Sequence, residues 1–316
     1  MSTFTGREES ARLSILIFHR VRAEADPLFP EELDALRFER FGRLVKSWFQ
    51  VLALDEAVRR LAAGTLPACA LSITFDDGYA DNCTIALPIL RRLGLPASFF
   101  IAVGYLDGGR MWNDTVIESV RRHQRDQLDL ARLGLGSYPT DAPVARRNSI
   151  DQLIARLKHL LPIEREQAAN AIAEAAGVEL PRDLMMTPDQ VRELRRAGMG
   201  IGAHTVSHPI LSRVSDDVAR SEIAEGKARL EAAIGEPIEL FAYPNGKPDV
   251  DYKPVHVRMA RDLGFKAALT TAPGAARAGD DPYQLPRFTP WARQSWRQLV
   301  QFLGNLGRRD YPGAAT

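Results

Sequence analysis

Two adjacent carboxylates, Asp76 and Asp77, end the apolar run 71–75 and are followed at once by Gly78 and Tyr79. Far downstream stands a second chemically loaded stretch, Gly202-Ala203-His204-Thr205-Val206-Ser207-His208-Pro209. One aspartate and two histidines can hold a divalent cation while leaving positions open for water and substrate. The spare aspartate beside them can serve as a base on activated water. A hydrolytic metal site is therefore the leading expectation. Short motifs do match by chance: taken alone, Asp76-Asp77 could be an exposed strand-ending turn, and the histidines one core and one surface residue. Chance explains the two stretches together far less well than either alone.

The elements that must position these groups follow from their neighbours. Residues 71–75 have the β-branched and aromatic content of a buried strand, and Gly78 stops it. Successive strand side chains point to opposite faces, so a regular strand could not aim both aspartates at one centre. The pair must sit where the strand ends and the backbone turns, which Gly78 permits. Residues 199–203 read as another short strand, and Pro209 disfavours helix at His208, which puts both histidines on the loop that leaves it. Both motifs then lie at C-terminal strand ends, the end at which α/β barrels build their sites.

Further strand-like runs fall at 13–19, 50–54, 97–103, 239–243 and 266–270, with amphipathic helical patterns at 38–49, 55–63, 83–93, 187–197, 216–234 and 256–263. Gly94, Gly198, Gly235 and Gly264 each follow a helical pattern, as helix-ending glycines should. The alternation predicts an α/β fold with a parallel sheet and crossover helices, closed into a barrel or open. Residues 105–186 break the rhythm: no strand is evident, and helical segments at 113–125, 150–161 and 163–176 are separated by the stretch 134–143. They read as a helical insertion that caps the site, contacts a partner or simply adds packing. The layout expected is a tail at 1–12, one barrel domain over 13–305, and a tail at 306–316.

With 316 residues, 45% of them hydrophobic, the chain can bury a sizeable core. Its 41 basic and 40 acidic residues leave a net charge of +1, which implies no nucleic acid or other polyelectrolyte partner. Cys69 and Cys83 lack the spacing of a zinc site and are expected as reduced, buried thiols. The apolar stretch near the start is only about a strand long, too short for a signal-peptide core or a membrane helix, so a cytoplasmic location is expected.

Thr74-Phe75-Asp76-Asp77-Gly78 and His204-Thr205-Val206-Ser207-His208 resemble the first two motifs of the polysaccharide deacetylases, the NodB-homology carbohydrate esterases. Phe241-Ala242-Tyr243-Pro244-Asn245-Gly246 resembles the third, and the likeness runs from about residue 13 to 288. The resemblance implies a distorted (β/α) barrel and metal-dependent removal of N-linked acetyl groups from sugars. It implies Asp77, His204 and His208 as metal ligands and Asp76 as general base. It also implies the backbone N–H of Asn245, where the family usually has an aromatic residue, as a donor to the amide oxygen. The cofactor implied is one divalent metal; His2Asp ligation favours zinc, though cobalt, nickel or iron would also fit.

The departing amine needs a proton, and no histidine follows His256 to provide the family's C-terminal acid. His256 itself reads as a surface residue, and His123 and His159 as solvated. His19, at the end of the first strand, resembles the N-terminal histidine of the permuted branch that contains the poly-β-1,6-N-acetylglucosamine deacetylases. It is the candidate acid, against the plainer reading of a structural strand-end histidine. The arginine that opens the family's third motif is missing, with Glu239-Leu240 in that neighbourhood. Arg287 could replace it, or could be an ordinary surface ion-pair partner. Trp112, Tyr243 and Trp291 could form a sugar platform, though scattered aromatics more often serve core or rim packing. The function expected is a metal-dependent N-deacetylase of an N-acetylated glycan or glycan precursor, with carbohydrate as partner. Alternatives are hydrolysis of another C–N amide (a formamide or cyclic amide) and a catalytically silent glycan-binding barrel.

Overall fold

The computed structural model describes residues 12–289 together with 301, 302, 304, 305 and 314. The expected tails therefore lie almost wholly outside the described residues, as does Trp291. The chain opens with β1 (Arg12–Phe18) and two short strands that pair with each other, β2 (Val21–Arg22) and β3 (Leu33–Asp34). There follow α1 (Ala35–Trp48), β4 (Gln50–Val51), α2 (Leu54–Ala62), β5 (Ala70–Phe75), α3 (Leu87–Leu93) and β6 (Ser98–Ile101). A detour comprises α4 (Trp112–Arg122), β7 (Gln127–Leu130), β8 (Gly136–Pro139), α5 (Pro143–Leu157) and α6 (Pro162–Ala176). The chain returns through α7 (Pro188–Arg196), β9 (Gly200–Ala203), α8 (Asp216–Ile234), β10 (Leu240–Ala242), α9 (Pro254–Asp262), β11 (Ala267–Leu269) and β12 (Ala276–Arg277).

The main sheet runs β11-β10-β9-β6-β5-β1, all parallel, with β12 antiparallel on β1. Residues 285–288 close the gap between its ends: Leu285 bridges Leu269 of β11 and Phe288 bridges Leu16 of β1. Closure by isolated bridges rather than a full ladder makes this the distorted barrel expected. Alternation sorts its side chains into two layers. Leu13 and Ile15 of β1, Phe100 of β6, Leu240 and Ala242 of β10, and Leu269 of β11 share one apolar cluster. Leu54, Ala57 and Leu61 of α2 join that cluster, so α2 plugs the barrel. The alternate residues Leu16, Phe18, Phe99, Ile101, Phe241 and Ala268 pack in the outer layer with the helices. Gly202 lies on the inner side because a Cβ there would meet the Phe100 ring at 2.4 Å.

The detour stays outside the barrel, as expected, and has an apolar core of its own that includes Val116, Leu128, Tyr138, Ile150, Leu153 and Ile172. It is not wholly helical. β7 and β8 form an antiparallel hairpin, Leu128 opposite Tyr138, with β8 inside the stretch 134–143 expected as a separator and β7 just before it. Three other expectations are corrected. His256 is buried because its Nδ1 accepts from Lys253 N at 3.0 Å and caps α9. His123 is buried because its ring nitrogens lie 3.0 Å from Ala176 O and 3.1 Å from Gln127 O, tying α4 to α6 and β7. Cys69 is exposed in the turn before β5, while Cys83 is buried, and both are free. Among the described residues no helix is long and apolar enough to cross a membrane.

Candidate active site

The two aspartates part company at the end of β5. Asp76 keeps the inward parity of Ser72 and Thr74, and its N–H donates to Phe18 O at 2.9 Å, the last rung toward β1. Asp77 leaves the strand with φ +77° and Gly78 follows at +90°, a left-handed turn that redirects the second carboxylate. Both therefore reach the barrel mouth, as the sequence required.

His204 leaves β9, and its Nδ1 lies 2.7 Å from Ala242 O. A carbonyl only accepts, so Nδ1 carries the proton and Nε2 keeps its lone pair for the mouth. His208 has φ +51° and its N–H donates to Thr205 Oγ1 at 3.1 Å. Nε2 of His204 lies 3.5 Å, and that of His208 3.4 Å, from Asp77 Oδ1. These are longer than hydrogen bonds, and Asp77 Oδ1 is a buried oxygen without a hydrogen-bond partner. One ligand atom from each of Asp77, His204 and His208 falls within 4.8 Å of the others. An orphaned carboxylate oxygen facing two imidazole lone pairs is the donor set a divalent cation satisfies, so these residues fit the group.

Electrostatics couple the three groups. Burial would lower His204, but Asp76 and Asp77 outweigh it and raise the ring above its ordinary value, so a cation taking its Nε2 would displace a proton. Burial alone would raise Asp77, but His204 and His208 outweigh it and hold the carboxyl below its ordinary value. Burial pushes His208 down to about 4, which leaves a neutral, ligand-ready imidazole.

Asp76 is treated differently. Arg287 Nη1 donates to its Oδ1 at 2.7 Å and Nη2 to its Oδ2 at 2.6 Å. Arg287 is 1% exposed, and its Nε donates to Thr270 O at 3.0 Å. Of its two sequence readings, the surface ion pair is excluded by this burial. Burial of Asp76 would raise its pKa, yet the Arg287 guanidinium, with His204, holds the carboxyl below its usual range. It is an ionised, fixed acceptor.

The histidine loop has supports that sequence reasoning missed. Glu222 of α8 accepts from Val206 N at 2.9 Å, Ser207 N at 2.8 Å and Ser207 Oγ at 2.6 Å, clamping the backbone between the two histidines. Gly226, one turn further along α8, allows the approach, since a Cβ there would meet the Thr205 carbonyl carbon at 2.8 Å. On the other side Tyr105 OH donates to Ser207 O at 2.8 Å. A glutamate four residues before a helical glycine was the available signal.

An open cleft of about 210 Å³ runs from Asp77, His208 and Asn245 to a second wall formed by α4, α5 and α6. The detour therefore lines the site, through Met111, Trp112 and Asn113 among others. Asn245, at φ +58°, is held by Thr271 Oγ1 donating to its carbonyl at 2.7 Å. His19 is exposed at the end of β1. It lines an adjoining cavity of about 310 Å³ with Arg20, Glu31 and Glu32 rather than the cleft itself. Tyr243 is no sugar platform: it is buried, stacked on Tyr252 at 4.0 Å, with its hydroxyl donating to Tyr283 O at 3.0 Å.

Comparison with known proteins agrees with this geometry. The family model described as polysaccharide deacetylase matches residues 63–132 and 155–268. That span includes Asp76, Asp77, His204, His208 and Asn245, and leaves out His19 and Arg287. YxkH of Bacillus subtilis (strain 168), classed among the polysaccharide deacetylases, is 23% identical over 289 residues, covering 90% of this chain and 74% of YxkH. The deacetylase PplD of Streptococcus pyogenes, solved in complex with acetate, is 20% identical with a TM-score of 0.60, covering 92% of this chain and 98% of that one. IcaB from Ammonifex degensii is 19% identical with a TM-score of 0.61, covering 92% and 97%. The likeness to these structures is one of fold.

Proposed function

The chain belongs to the polysaccharide deacetylase family, and from that premise we propose that it is a metal-dependent hydrolase removing N-acetyl groups from a glycan. The observation that carries the reading is the cluster of Asp77, His204 and His208, with its orphaned carboxylate oxygen, beside a carboxylate locked by Arg287. Asp77, His204 and His208 would hold the cation, with zinc favoured by the donor types. When bound, a divalent cation supplies Lewis acidity to water and to the amide oxygen.

The chain's own residues do the rest. Asp76, ionised and unable to rotate, accepts the proton of the water whose oxygen adds to the amide carbon. Arg287 is a positioning residue: it fixes both oxygens of Asp76 and keeps the carboxylate charged, although it also makes it a weaker base. The Asn245 N–H donates to the oxygen on which negative charge develops, a contribution of roughly 3 kcal/mol for a well-aimed donor. His19 lies one residue beyond the Phe18 carbonyl that accepts from Asp76 N–H. It would turn from its own cavity toward the cleft to give a proton to the nitrogen as the C–N bond breaks, so that acetate and a free amine leave.

The test is metal analysis and acetate release on the same preparation, with N-acetylglucosamine oligomers as substrate. About one equivalent of metal and release that stops with a chelator are expected. His204→Ala should lose both. Metal-free wild-type protein with full activity would reject the metal; bound metal with no acetate from any N-acetylated sugar would reject the deacetylase reading.

A further inference from the structure

Among the described residues, the charged ones lining the cleft apart from Asp77 are both cationic, and both come from the detour: Lys158 just after α5 and Arg165 of α6. Arg165 is only 5% exposed, a costly place for a guanidinium without a partner. Its Nε is buried without a hydrogen bond, and no carboxylate among the described residues stands at ion-pair distance from it. Tyr105 and Glu166 act on its charge only from further away. What holds the group is the face of Trp112, 4.8 Å from ring centroid to guanidinium carbon. Stacking fixes the plane of an arginine and leaves its edge free, which is how guanidinium groups present a fork to carboxylate or phosphate. Lys158 is exposed on the same wall and adds a mobile positive charge.

A neutral poly-N-acetylhexosamine would offer this pair only hydroxyl and amide acceptors, weaker than an anion, and its deacetylated units, being ammonium ions, would be repelled by it. We propose that the wall of Lys158 and Arg165 binds an anionic group of the substrate, so that the glycan deacetylated at the opposite wall carries a carboxylate or phosphate near its N-acetyl sugar. This rests on the deacetylase reading for the word substrate, but the anion subsite itself does not need it.

The experiment uses the zinc-loaded protein and two matched pairs of ligands. One is an oligosaccharide of alternating N-acetylglucosamine and glucuronate against its neutral methyl ester. The other is N-acetylglucosamine 1-phosphate against its methyl glycoside. Binding is followed by calorimetry and acetate release is measured separately. In at least one pair the anion should bind about tenfold more tightly than its neutral partner, as one charge-assisted hydrogen bond allows. The pair with the larger preference tells carboxylate from phosphate. Lys158→Gln and Arg165→Gln should each shrink that preference several-fold. Should Arg165→Gln fail to fold, Lys158→Gln, at an exposed position, decides alone. Equal binding within both pairs, or a preference that neither variant alters, overturns the proposal. If the anion preference holds but none of the four ligands yields acetate, the deacetylase reading fails while the subsite stands.

Discussion

Two aspartates near the barrel mouth are both buried, and the fold treats them in opposite ways. Asp76, on the barrel, is gripped through both oxygens by Arg287 and stays below the ordinary carboxylate value. Asp114, on α4 of the detour, has the Tyr79 hydroxyl at 3.1 Å as its nearest donor. Arg20 stacks on the Tyr79 ring at 4.4 Å but gives its hydrogen bond to Asp81 at 2.7 Å. Burial, with the charges of Asp77 and Glu118 behind it, pushes Asp114 up to about 7. A buried acid keeps its charge where nearby positive charge or hydrogen-bond donors outweigh the cost of burial. The barrel brings Arg287 to Asp76, whereas among the described residues the cations of α4 pair elsewhere, Arg121 with Asp26 and Glu118 and Arg122 with Glu118.

The sharpest way to break this contrast is to remove the partner. Arg287→Met should destabilise the protein by roughly 3–5 kcal/mol, the usual consequence of stranding a buried charge. Denaturant midpoints would show it, and adding Asp76→Asn to the same protein should recover part of the loss. A cost below about 1 kcal/mol, as for an exposed pair, would mean that the pair does not hold Asp76.

Proton delivery from the barrel side gives the next effect. His19→Ala should lower turnover on the amide by about 10²–10⁴ with metal content unchanged. An activated ester, whose leaving group needs little protonation, should lose far less. Equal losses on both substrates would make His19 structural. Smaller again is the clamp on the histidine loop: Glu222→Gln should weaken metal affinity about 10–100-fold, as for other groups that orient ligands from behind. Competition against a chelator measures it, and an unchanged affinity would show that the loop holds without the clamp.

The detour side is tested by pH. The folded-state value of Asp114 lies above its ordinary 3.8, so the folded protein binds this proton more tightly than the unfolded chain. Its contribution to stability is complete below that ordinary value and is lost as pH rises toward about 7. Asp114→Asn keeps the shape without the charge. In metal-free protein, the variant should gain on wild type by on the order of 1–2 kcal/mol between pH 5 and pH 8. A variant that tracks wild type across that range would mean that Asp114 is not raised.

Much of this was legible in the chain. The helix 216–234 is bounded as expected because Ser215 caps it, Asp216 and Asp217 fill its first turn, and Gly235 ends it in the left-handed region. The parting of Asp76 and Asp77 followed from strand alternation alone. The hairpin β7–β8 was hidden because each strand is four residues long, with only Leu128, Leu130 and Tyr138 buried and with Gly134 and Gly136 between them reading as loop. His256 and His123 were misplaced because their rings satisfy backbone groups inside the fold, a use that leaves no periodic trace. Arg287 could be guessed at but not decided, since its partner lies 211 positions away. Glu222 left only the faint trace of a helical glycine four residues on, and the cationic wall none, for the same reason: what matters about them is which loop or cleft the folded chain brings them to.

The central claim is that the paired aspartates have different tasks, and one comparison tests it directly. Asp76→Asn and Asp77→Asn are prepared side by side, their folding verified by circular dichroism, and each is assayed for bound metal and for acetate release. Asp76→Asn should keep about one equivalent of metal and lose turnover, whereas Asp77→Asn should lose the metal and turnover together. Metal retained by Asp77→Asn and lost from Asp76→Asn would contradict the assignment outright.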